Sequence, residues 1–298
     1  MVRYNQRGTL DTSRVRDRRG ASGGRVAVGG GLGVLVVVVV ASLLGVDPAA
    51  LLPAAELSGG SASQAPADGG LEACASGADI EERRECRFVA YENSVQDYWD
   101  AEFARRDVTY EFASFNVFTG GVTTGCGSAS SAMGPFYCPA DEGIYLDMGF
   151  FQVLETQLGA QGGDFAEAYV VAHEVAHHIQ NITGVNDRVR TRQGPESDGV
   201  RLELQADCLA GVWAHHATRT PVPGTDEPII SEISERDIAI ALDAAGVIGD
   251  DYIQSRTQGN VTPETFSHGS SEQRTRWFTR GLDVGELEAC DTWSADRL

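Results

Sequence analysis

Apolar positions fall into two periodicities along this chain. From Glu85 to Arg106, Phe88, Val95, Trp99 and Phe103 recur at helical spacing with charges between them, which predicts an amphipathic helix lying on a core. FASFNVFT, from Phe112 to Thr119, and IYLD, from Ile144 to Asp147, have strand character and predict a small sheet. A helix is expected from near Gly149 to just before Gly159. Asp164, with Glu167 three residues on, reads as the N-cap of the next helix, which runs to a stop at Gly184. The polar loop GVNDRVRTRQGPES follows, and VRLELQADCLAGVWAHHA then resumes helical periodicity through Leu202, Ala206, Leu209 and Trp213. Further helices are expected around Glu232 to Ala245 and, after a Ser270 cap paired with Gln273, through Trp277 to Gly281. A helix, then strands, then several helices predict an α+β domain, mainly helical with a small sheet.

Residues 26–46, VAVGGGLGVLVVVVVASLLGV, break both patterns. They carry no charge over 21 positions, and as a helix they would span about 31 Å, the thickness of a bilayer core. The sequence therefore predicts one transmembrane helix ahead of the domain. A cleaved signal peptide is the alternative, but its apolar core is usually only about 7 to 15 residues. Seven Arg against two Asp give residues 1–25 a charge of +5, leaving -25 of the total -20 for the rest. The positive-inside bias then gives a basic cytoplasmic tail (1–25), the transmembrane helix (26–46), a Gly-, Ala-, Ser- and Pro-rich flexible stalk (47–72) and an extracytoplasmic domain (73–298). The localisation expected is the cell membrane, single-pass. An acidic body with no basic stripe argues against nucleic acid as a partner.

Six cysteines, Cys74, Cys86, Cys126, Cys138, Cys208 and Cys290, suit an exported domain, and no CxxC pair suggests a zinc ribbon. Six thiols allow 15 pairings. Short loops favour Cys74 with Cys86 and Cys126 with Cys138, leaving Cys208 with Cys290, while buried free thiols are the alternative.

All six histidines follow residue 172. In HEVAHHIQ, His173 and His177 sit four apart on a helix, offset by about 40°, so both imidazoles face one way and can share a metal ion. Glu174 is turned about 100° from His173, beside the ion rather than on it, within reach of a bound water. A catalytic Zn2+ needs a third protein ligand and an open position. The HExxHxxGxxH pattern is excluded because Gln180 and Thr183 stand at its last two positions. Glu203, in ELQAD on the following helix, is the third-ligand candidate. Asp207, four residues on, is then expected to accept the spare N–H of a ligating histidine. His178, His215 and His216 read as hydrogen-bonding residues, Tyr169 as core, and His268, ahead of a helix cap in SHGSSEQR, as either an oxyanion donor or a structural hydrogen bond.

With these residues assembled, the chain from Cys74 onward resembles the bacterial putative neutral zinc metallopeptidases, the YpfJ-like family. The resemblance rests on GCGSASSAMGPFYCPAD from Gly125, IYLD from Ile144, HEVAHHIQ from His173, RLELQADCLAGVW from Arg201 and SHGSSEQRTRWF from Ser267. It implies a single-pass membrane protein with a zincin-like domain, Zn2+ on His173, His177 and Glu203, and Glu174 as the catalytic residue. The function expected is a membrane-anchored zinc peptidase acting on a peptide or protein substrate, with the strand near Ile144 or the Gly125 to Tyr137 segment pairing with the extended substrate. The alternative is a non-catalytic exported binding protein that keeps zinc as a structural clip. That reading needs four protein ligands and no general base.

Overall fold

The computed structural model describes residues 1–20 and 70–298. Strands β1 (Arg3–Tyr4) and β2 (Val15–Asp17) precede two helices, α1 (Asp79–Glu82) and α2 (Cys86–Ala104). Strand β3 (Ser114–Val117), a hairpin of β4 (Gly121–Thr124) and β5 (Gly127–Ser130), and strands β6 (Phe136–Cys138) and β7 (Gly143–Leu146) follow. Helices α3 (Gly149–Val153), α4 (Asp164–Ile182) and α5 (Asp198–His216), strand β8 (Ile230–Glu232), and helices α6 (Glu235–Val247), α7 (Asp250–Gln258) and α8 (Ser271–Val284) complete the order.

The main sheet runs β2-β3-β7-β6, parallel from β2 to β7 and antiparallel between β7 and β6. Its inner strand β7 is buried at every position, the pattern of a strand covered on both faces. Helices α2, α4 and α5 pack into one core with it through Trp99, Phe115, Tyr169 and Trp213. Helix α8 lies unusually close to α5. A Cβ at Gly211 would stand 2.1 Å from the Phe278 carbonyl oxygen, and one at Gly281 would stand 1.9 Å from that of Cys208. Only glycine at both positions permits this backbone approach. Three disulfides, Cys74–Cys86, Cys126–Cys138 and Cys208–Cys290, fasten the chain ahead of α2, the β4–β5 hairpin and the C-terminal segment to this body.

The expected α+β domain hung from a membrane helix requires correction. The architecture is mixed α/β with a partly parallel sheet, and among the described residues no helix is long and apolar enough to cross a membrane. Residues 26–46 and most of the expected stalk lie outside the described residues. The first 19 residues are not a separate tail. Val2, Leu10 and Val15 are core residues, β1 pairs with β8, and β2 forms an edge of the main sheet. Their basic groups answer acids of the body: Arg14 faces Glu92 and Asp97, Arg19 faces Glu85 besides its neighbour Asp17, and the N-terminal ammonium lies 2.9 Å from Asp237. Leu71 donates its N–H to Asp17 at 3.2 Å, so the described segments on either side of residues 21–69 lie together. A cytoplasmic tail and an extracytoplasmic domain on opposite sides of a bilayer do not fit one packed body, and of the arginines read as a topogenic signal Arg3, Arg14 and Arg19 pair with acids within it.

Local expectations also shift. The α4 N-cap is Gly163, and no cap bond comes from Asp164. Asp164 instead pairs with Arg87 of α2, and Glu167 with Arg84 just ahead of that helix, fixing α4 to the start of α2. Ser234 with Asp237 makes a capping box that starts α6 at Glu235, while Ser270 with Gln273 makes the box expected ahead of α8. Helix α7, polar and short, was not anticipated.

Candidate metal centre

Helix α4 is apolar on most of its surface and buried through most of its length, so the polar groups of HEVAHHIQ are carried into the interior. His173 and His177 stand one turn apart with ring centroids 4.7 Å from each other, on the side facing α5. Helix α5 starts where Ser197 accepts the Val200 N–H. Its first turns bring Glu203 opposite the imidazoles, with Oε2 3.2 Å from His173 Nε2 and 3.6 Å from His177 Nε2. One donor atom from each of the three residues lies within 4.8 Å of the others. Bonds of about 2.0 to 2.2 Å to a tetrahedral ion separate its donors by roughly 3.4 Å, so the two measured separations suit such an ion.

Hydrogen bonding on the far side of each ring sharpens this geometry. His173 Nδ1 lies 2.9 Å from Asp207 Oδ1, and His177 Nδ1 lies 2.9 Å from Gln180 Oε1. The Gln180 amide is oriented by donating to the Leu202 carbonyl at 2.7 Å and to Gln205 Oε1 at 3.0 Å. In a neutral imidazole the hydrogen therefore belongs on Nδ1 in both rings, the assignment these partners dictate. Both Nε2 lone pairs then face a carboxylate oxygen, an arrangement that is repulsive until a proton or a cation sits among the three atoms. Burial disfavours the His173 imidazolium, yet the Asp207 carboxylate outweighs it and pushes that pKa up to about 9. Burial would likewise raise Glu203, but His177, His268 and His173 hold its carboxyl well below the usual range. The pocket attracts positive charge.

Glu174 is 8% exposed, and burial holds its carboxyl above the ordinary range against the pull of His177 and His173. His268 stands ahead of α8, with Nδ1 2.9 Å from Ser267 Oγ and 3.6 Å from Asp250 Oδ1. Its loop is pinned by Asp250 Oδ2, which accepts the N–H groups of Ser267 and His268 at 2.7 Å and of Gly269 at 3.0 Å. Against burial, the Glu203 carboxylate and then Asp250 raise the His268 pKa, so this ring belongs to the same electrostatic neighbourhood. The other histidines make ordinary bonds: His178 to Glu111 O and Tyr137 Oη, His215 to Leu282 O, and His216 to Gly285 O.

Three residues' roles escaped sequence reading. Gln180 lies three residues beyond His177, a spacing that was available as a signal. Arg274 and Tyr169 both contact Asp207, and nothing in SEQRTRWF or in the apolar face of α4 announces it. The strand at Ile144 also has a different place from that expected. It is β7, paired on both sides with β3 and β6, and so has no edge for an added strand, whereas β6 is an edge strand.

A family model described as "Putative neutral zinc metallopeptidase" matches residues 4–293. The chain belongs to this family. The metallopeptidase match begins inside β1, so the family unit includes the N-terminal segment packed on the body. The uncharacterized protein Rv2575 of Mycobacterium tuberculosis is 46% identical over 267 residues, covering 87% of this chain and 86% of its own length. The uncharacterized protein YpfJ of Escherichia coli K12 is 37% identical over 302 residues, covering 96% of this chain and 97% of its own length. No solved structure matches the chain.

Proposed function

We propose that this protein is a zinc-dependent peptidase in which His173, His177 and Glu203 hold the ion and Glu174 is the general base. The observation that carries this reading is the convergence of two imidazole lone pairs and one carboxylate oxygen on a single point, with the outer nitrogen of each ring already committed to an acceptor. A zinc ion bound there supplies Lewis acidity toward a water and a peptide carbonyl. Glu174 adjoins His173 in sequence, and its carboxyl, lifted by burial, is suited to taking a proton on Oε from the attacking water and returning it to the leaving amine. His268, steadied by Asp250 and Ser267, is suited to donating a hydrogen bond to the oxyanion. An extended substrate pairs with the outer edge of β6. Tyr137 ties that strand to the histidine helix, its hydroxyl lying 3.0 Å from His178 Nδ1 and accepting from Asn181 Nδ2 at 3.0 Å.

A purely structural zinc site would call for a fourth protein ligand, and the donor group among the described residues holds three. The protein is expected to purify with about one zinc per chain and to cleave a mixed peptide library until a chelator is added. Glu174→Gln should retain the zinc and lose hydrolysis by a factor of about 100 or more. Equal cleavage by the Gln variant would overturn the mechanism.

A further inference from the structure

We propose that Arg274, acting with Tyr169, is a positioning residue of the metal centre: it grips both oxygens of Asp207 and so fixes the acceptor that orients the His173 ring. The inference rests on the zinc reading above and deepens it.

Asp207 has no solvent exposure and cannot be oriented by water. Arg274 Nε donates to Oδ2 at 2.9 Å and Nη2 donates to Oδ1 at 3.0 Å, the two-pronged grip that sets the plane of a carboxylate as well as its position. Tyr169 Oη donates to Oδ1 at 2.5 Å and accepts from Arg274 Nη2 at 3.2 Å, closing a ring of bonds. The remaining approach to Oδ1 is that of His173 Nδ1, at 2.9 Å. The imidazole thus meets an acceptor held by three bonds from two other residues, and Nε2, across the ring, is aimed at Glu203.

The wider fold is built to bring the guanidinium there. Arg274 belongs to α8, whose backbone reaches α5 closely only because Gly211 and Gly281 lack side chains. The Cys208–Cys290 disulfide fastens the chain one residue beyond Asp207. Arg274 also follows His268 by six residues, with the Ser270–Gln273 capping box between them, so the same helix start that presents His268 sets the Asp207 grip. A lysine reaching this point offers an ammonium without the planar fork and cannot hold both oxygens in one plane.

The test uses the full chain, with zinc affinity measured by chelator competition and the visible absorption of the cobalt-substituted protein as a signature of ligand geometry. Arg274→Lys and Tyr169→Phe should bind zinc about 10- to 100-fold more weakly, with an altered cobalt spectrum, while their far-ultraviolet circular dichroism stays that of the unaltered protein. Arg280→Lys, on the same helix but bonded to the Ala289 carbonyl, should leave both readouts unmoved. Arg274→Lys and Tyr169→Phe proteins with unaltered zinc affinity and cobalt spectrum would overturn the proposal. Should Arg274→Lys fail to fold, Tyr169→Phe, which removes one hydroxyl, decides alone. Failure of the unaltered protein to take up zinc would overturn the zinc reading itself, an outcome distinct from normal uptake with unmoved variants.

Discussion

Asp207 at the candidate metal centre and Glu92 beneath the N-terminal segment are both carboxylates without solvent exposure that face an arginine, yet their pKa values move in opposite directions. Burial opposes the charge of each. At Asp207, Arg274 and His173 outweigh it and the pKa falls. At Glu92, burial wins over Arg14 and over the amides of Asn93 and Gln96, and the pKa rises to about 7. Geometry accounts for the difference. Arg274 serves one carboxylate through two aligned bonds. Arg14 is divided among Asp11, Glu92 and Asp97, and its Nε, 3.3 Å from Glu92, makes no hydrogen bond. An arginine compensates a buried acid when its donors are aligned and undivided, and proximity alone does not suffice.

The comparison can be broken most forcefully at Arg274. Arg274→Leu leaves Asp207 buried without its counter-charge and should cost about 3 to 5 kcal/mol in denaturant unfolding at pH 7. A loss below 1 kcal/mol would show that the grip is energetically idle. Glu92 gives the next effect, with the opposite pH sign. Its folded pKa lies above its unfolded value, so its stabilising contribution is complete below about pH 4.5 and lost as pH rises through about 7. Glu92→Gln should remove that slope and gain, relative to the unaltered protein, up to about 3 kcal/mol between pH 4.5 and 8. Parallel stability curves over this interval would refute the assignment. Asp207, with its lowered pKa, contributes stability that is lost only on the acid side, as pH falls through its folded value. The smallest effect sharpens the contrast. Asp97→Asn removes one claimant on Arg14 and should lower the Glu92 midpoint by roughly half a unit, worth about 0.7 kcal/mol, as read by carboxyl carbon NMR.

Much of the candidate site was legible because it is local. His173 and His177 face one way, as do Glu203 and Asp207, because four residues make slightly more than one helical turn. The Ser270–Gln273 box marked the start of α8 for the same reason: its partners lie within one turn. The Asp164–Glu167 pair carried the same local signature and misled, because Arg84 and Arg87, distant in sequence, took both acids. Tyr169 looked like a core aromatic, and it is one in every respect except its hydroxyl. Residues 1–25 looked like a tail because positive charge beside an apolar stretch has a strong reading in sequence, whereas Glu85, Glu92 and Asp97, which face Arg19 and Arg14, lie far along the chain.

By itself, then, the sequence determined what depends on short-range periodicity: the principal helices, the common face of the paired histidines, the common face of the two carboxylates that follow, and the family. Tertiary structure alone decided which donors meet across helices, which strand keeps a free edge, that the first 19 residues close the sheet rather than leave it, and which arginine serves which acid. The physical reason is that backbone geometry fixes a side chain's direction within a turn or two. The partner it finds depends on how close two backbones are allowed to come, and here Gly211 and Gly281, far apart in the chain, set that distance.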